Sequence, residues 1–90
     1  MRIAVTGIGI VSSIGCTKEL FWKNLVGGVS GAGEITAFDA SGFGSRVACE
    51  ARDFNPEARL DKRRIRNMAR FSQMASFAAL EAVGDSGLDL

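Results

Sequence analysis

Ser12, Ser13, Cys16 and Cys49 could each be proposed as a nucleophile in this 90-residue sequence. A serine or cysteine nucleophile needs a base within hydrogen-bond reach, most often a histidine. The sequence contains no histidine and no tyrosine. A Ser-His or Cys-His pair therefore cannot be assembled within it, and no catalytic residue is assigned. Metal chemistry meets the same obstacle. Cys16 and Cys49 make no CxxC pair and have no histidine to complete a zinc set. A disulfide between them is possible in principle. Nothing else suggests secretion, so the expectation is two reduced, mostly buried thiols. No metal ligand and no cofactor-binding residue is assigned.

Two further patterns could bind a ligand. The first is Thr6-Gly7-Ile8-Gly9-Ile10-Val11-Ser12, a strand end followed by GxG, as in a dinucleotide-binding fingerprint. Ser12 stands where the third glycine belongs. The next helix opens only near Thr17, too late for its N-terminus to meet a pyrophosphate. The expected role is a tight loop where backbones pass closely, with a nucleotide site as the lesser alternative. The second pattern is basic. Arg59, Lys62, Arg63, Arg64, Arg66 and Arg70 hold six of the eleven Lys and Arg residues, offset in part by Glu57 and Asp61. On one helix, positions 62, 66 and 70 share a face. Such a patch either draws an anionic partner at long range or is an ordinary solvated face. No aromatic residues alternate with the charges to stack bases, which argues against nucleic acid.

The elements that must carry these residues read as α/β. Ile3-Ala4-Val5 is a short branched run, expected as a strand buried on both faces. Thr17 is a good N-cap for a helix over about 18–26, with Leu20, Phe21, Trp22 and Leu25 on its buried face and Gly27-Gly28 as its stop. Residues 29–45 read as loop, with Phe38 and Phe43 pinning it to the core. Residues 46–51 alternate as a second strand, and Phe54-Asn55-Pro56 is a turn. The last third is helical, basic over 62–70 and apolar over 71–83. Ile65, Met68, Ser72, Ala75, Ala79 and Ala82 lie on one face, Met74, Phe77 and Leu80 form a second stripe, and Gly84 and Gly87 end it. A helix so apolar belongs inside a multilayer protein.

The whole composition is globular, 47% hydrophobic and 23% charged with a net charge of +1. That balance gives no general attraction to nucleic acid or membrane. The run 3–11 imitates a signal peptide faintly, but Thr6, Gly7 and Gly9 break it. No run approaches the roughly 20 apolar residues of a membrane span. The expectation is a cytosolic α/β segment that does no chemistry alone and stops where a connection should begin.

The order of motifs resembles the N-terminus of the β-ketoacyl-(acyl carrier protein) synthases of the chain-elongating type. Residues 2–9 look like the family's opening strand and turn. Residues 11–15 are similar to the next segment, with Ser13 at a common proline position. Phe21-Trp22, Leu25, Gly28, Ser30-Gly31, Phe38-Asp39 and residues 53–56 follow in order. Met68 and residues 70–73 resemble a helix start, with Ala69 where aspartate is common. Glu81-Ala82, Asp85 and Gly87-Leu88 close the match. It spans residues 1–90 as the incomplete N-terminal segment of a synthase domain, about the first quarter of a family member.

The resemblance implies a thiolase-like αβαβα layered fold, usually in a cytoplasmic homodimer. It implies condensation of an acyl thioester with a malonyl thioester of acyl carrier protein, by a cysteine and two histidines beyond residue 90. It further implies that Lys62, Arg63 and Arg66 help dock the acidic carrier protein, with Asn67 where some relatives are basic. A free-standing basic module that binds an acidic carrier protein is a second reading, and a nucleotide-binding fragment a third.

Overall fold

Capping chemistry sets the first helix, α1, at Lys18–Val26. The Thr17 hydroxyl accepts the Leu20 N–H at 3.2 Å. Glu19 and Lys23 complement the helix dipole at opposite ends. Gly27 caps the C-terminus, and Gly28 follows with a φ of 71°, a conformation that favours glycine. A computed structural model describes residues 1–89. After α1 come strands β1 (Ala32–Glu34) and β2 (Val47–Cys49), a 3-10 turn at Pro56–Ala58, and helices α2 (Lys62–Arg66) and α3 (Arg70–Ser86).

The strands pair antiparallel, with Ala32 opposite Cys49 and Glu34 opposite Val47. The Ile35 N–H extends the ladder to the Arg46 carbonyl at 2.9 Å. β2 lies where alternation placed it. β1 falls inside the stretch read as loop, because Ala-Gly-Glu has no strand composition of its own and is extended by its partner. Phe38 and Phe43 do not reach the core. They stack edge to face at 5.8 Å and stay exposed in the connection between the strands.

The last third is two helices rather than one. The Asn67 and Met68 N–H groups close on the Arg64 and Ile65 carbonyls, three residues back, which tightens and ends α2. Ala69 is then extended at ψ 158°, and α3 begins. The helix passes through Gly84 and ends at Gly87, where φ is 73°.

The core is small: Ala40, Phe54, Leu60 and Phe77, with the carboxylate of Glu81 beside them. Phe54 and Phe77 meet edge to face at 5.1 Å. Arg59 lies over the Phe77 ring at 4.4 Å, and Arg70 over the Phe54 ring at 5.1 Å. The buried side of α3 therefore runs through Phe77 and Glu81, while Ala75 and Ala79 of the expected face are exposed.

Three expectations about burial fail together. Residues 3–5 form no strand among the described residues, and Ile3 and Val5 are 89% and 82% exposed. Nothing here offers that edge a hydrogen-bonded neighbour. No residue of α1 is buried, and Trp22 is 64% exposed. Cys49 is an exposed free thiol and Cys16 a half-buried one. Burial on both faces needs layers that these residues do not supply.

Candidate functional site

The glycine loop is a crossing point. A Cβ on Gly7 would collide with the Ala82 carbonyl oxygen, and one on Gly9 with the Ala78 carbonyl oxygen. Two extended residues advance about 6.8 Å and four helical residues about 6 Å, so the chain and α3 stay in step. The same step sets the hydrogen bonds. The Ile8 N–H donates to Asp85 at 3.1 Å, and the Ile10 N–H donates to Glu81 at 2.9 Å.

Glu81 is 8% exposed and joins four segments. Its second oxygen accepts the Lys18 N–H at the start of α1 at 3.0 Å, and Arg59 lies 3.7 Å away. A protein carboxylate thus occupies the helix N-terminus that a phosphate would use. The Lys18 ammonium pairs with Asp85. That pairing and the Ile8 N–H hold the Asp85 carboxyl below the usual carboxylate range. Asp85 in turn raises the Lys18 ammonium above the usual lysine value.

Among the described residues none of the four candidate nucleophiles donates to a base. The Ser12 hydroxyl donates to the Gly15 carbonyl at 2.8 Å within a tight turn. Ser13 packs against Gly31. The Cys16 thiol points to the Ser12 carbonyl at 3.9 Å. Cys49 lines an open cleft of about 700 Å³ with Glu50, Arg52 and Arg70. Glu50 is already committed. It accepts the Thr36 and Ala37 N–H groups, each at 3.0 Å, and pairs with Arg52. The Thr36 N–H and hydroxyl and the Ala37 N–H hold its carboxyl below the usual range, the wrong direction for a general base. Among the described residues no cluster of His, Cys, Asp or Glu could hold a metal, and no helix is long and apolar enough to cross a membrane.

The basic stretch is different. Lys62, Arg63 and Arg66 are exposed on α2, and among the described residues none pairs with a carboxylate. The nearby Asp61 is used locally, accepting the Arg63 N–H at 3.1 Å as the N-cap of α2. Arg70 leaves the patch, because the helix break puts it at the head of α3 over Phe54. Arg59 leaves it too, stacked on Phe77.

Two residues that the sequence placed only in the basic stretch and in a helix start, Arg59 and Gln73, fasten α2 to α3. Arg59 precedes the buried Leu60 at the entrance to α2. Gln73, in the first turn of α3, donates from Nε2 to the Ile65 carbonyl at 3.3 Å and the Met68 carbonyl at 3.1 Å. The signal for Gln73 was its place one turn into α3, within reach of the last carbonyls of the preceding helix. The signal for Glu81 was an acid within the apolar run 71–83 of α3.

A mixed α/β unit with a basic helix, and among the described residues no base beside a nucleophile, is what the geometry defines. The chain belongs to the β-ketoacyl synthase family: the family model for the β-ketoacyl synthase N-terminal domain matches residues 1–90. It is 43% identical over 89 residues to 3-oxoacyl-[acyl-carrier-protein] synthase 2 of Coxiella burnetii, covering 99% of this chain and 22% of that protein. It is 40% identical over 90 residues to the protein of that name from Staphylococcus aureus strain MRSA252, again covering 22% of it. Among solved structures, the ishigamide ketosynthase/chain length factor superposes with a TM-score of 0.86 at 44% identity, over 94% of this chain and 21% of that one. The chain thus spans about a fifth of the length of these relatives.

Proposed function

We propose that the protein carrying this segment is a condensing acyltransferase. It joins an acyl thioester to a malonyl thioester of acyl carrier protein and releases 3-oxoacyl-carrier protein in fatty acid or polyketide synthesis. It works as a cytoplasmic homodimer, with its nucleophile and bases outside residues 1–90. Residues 1–90 supply scaffold and part of the carrier dock. The family membership supports the reaction. The exposed, unpaired cations of α2 support the dock.

The physical argument is electrostatic. Lys62, Arg63 and Arg66 sit on one short helix whose adjacent acid is consumed in capping. Their field draws an acidic partner and orients it, an effect that falls with salt. The test is a substrate comparison in the full-length protein, with the acyl group presented on carrier protein or on coenzyme A. Arg63→Glu with Arg66→Glu is expected to lower the carrier-to-coenzyme ratio of kcat/KM about tenfold at low salt, and less at high salt. An unchanged ratio would remove α2 from the dock. Absence of 3-oxoacyl product from malonyl-carrier protein would remove the reaction.

A further inference from the structure

We propose that Arg59 and Gln73 are positioning residues for the carrier dock, clamping α2 onto α3 from its two ends. The proposal rests on the dock reading above. α2 is five residues long, too short to hold itself, and contains no buried residue. Its place must come from its flanks. At the entrance, Leu60 is buried, and the Arg59 guanidinium lies over Phe77 at 4.4 Å with Glu81 at 3.7 Å. At the exit, the Gln73 amide donates to Ile65 and Met68, capping the end of α2 and bridging the break. Phe77, Glu81 and Gln73 all stand on α3, so one rigid helix sets both ends of α2. The cations that meet the partner touch neither anchor, so the anchors act on position and leave the exposed charge intact.

The experiment uses the full-length protein with carrier-bound and coenzyme A-bound acyl substrates. Arg59→Met and Gln73→Met remove the polar anchors at similar size. Each is expected to raise KM for the carrier-bound substrate about threefold to tenfold, the range of a net polar contact of about 0.5–1.5 kcal/mol. The salt slope of that KM should stay as in the parent, because the exposed charges remain. Arg59→Lys should recover most of the loss. Hydrogen exchange at Ile65 and Arg66 should quicken in Gln73→Met, a readout that needs no kinetics. If both Met variants raise KM for the two substrates equally, or Gln73→Met leaves exchange at Ile65 and Arg66 unchanged, the clamp is wrong. If they do so while Arg63→Glu with Arg66→Glu still lowers the substrate ratio, the dock stands without it. If the charge reversal has no effect, the dock fails and the clamp with it.

Discussion

At the residue scale, Glu81 carries the most structure for one side chain. It is nearly buried and accepts from Ile10 and Lys18 while facing Arg59. Glu81→Ala strands two backbone donors and one guanidinium, so we expect a loss of about 2–4 kcal/mol in the intact protein, read by chemical denaturation. Glu81→Gln keeps one acceptor and should cost less. Asp85 and Lys18 give a pH prediction. The folded carboxyl is held low, so its contribution is complete above the ordinary aspartate value near 3.9 and lost as pH falls below it. The folded ammonium is held high, so its contribution is complete below the ordinary lysine value near 10.4 and lost above it. Amide protection at Ile8 should therefore be flat between about pH 5 and 9 and fall only outside that window. A midpoint near neutrality would contradict the assignment. The exposure of Lys62, Arg63 and Arg66 was legible in the sequence because exposed charge is a property of type and spacing, whereas their selection from six basic residues came from the resemblance alone. Glu81 was not, because its partners lie 71 and 63 positions away.

At the element scale, what was legible is what is local. Thr17 and Gly27 bound α1 through contacts within a few residues, and the helix fell where they placed it. The break between α2 and α3 was hidden from the residue pattern, since Met-Ala-Arg carries neither glycine, proline nor a capping side chain, and only the resemblance marked a helix start there. Ala69 sits at the N-cap of α3 in extended geometry with no side-chain bond to the helix. Ala69→Asp supplies that acceptor and a favourable charge at the helix start, and should add about 1 kcal/mol. Thermal unfolding of the intact protein checks it, and a lower Tm would count against the break as drawn. The crossing of the glycine loop over α3 is equally testable. Gly9→Ala forces a methyl against the Ala78 carbonyl, which the helix cannot move cheaply. We expect at least about 1–3 kcal/mol lost, as for overpacking in a core. Gly42→Ala meets nothing within 4 Å and should be nearly neutral.

At the scale of the whole molecule, the fold class was readable and the burial was not. Branched residues at 3–5 and an apolar α3 announce a layered protein, but the sequence does not say which layers lie within 90 residues. The geometry does. The radius of gyration is 15.6 Å, where a compact chain of this length has roughly 12 Å. The exposed surface is 6861 Å², where a chain of this mass presents roughly 5,000 Å² when compact. Much of the excess is apolar: Ile3, Val5, Trp22, Val26 and Phe71 all face outward. Four buried apolar residues cannot offset the conformational entropy of ninety. The chain expressed alone should therefore show no cooperative transition in urea, bind a hydrophobic dye at neutral pH, and tend to associate. The caps of α1 are local and should leave some helical signal, so far-UV circular dichroism should outlast the near-UV signal of Trp22. In the full-length protein the same residues should be protected from exchange, Ile3 and Val5 most of all. A sharp monomeric unfolding curve for the isolated chain would mean that α1, the glycine loop and α3 close on one another by a packing other than the one described.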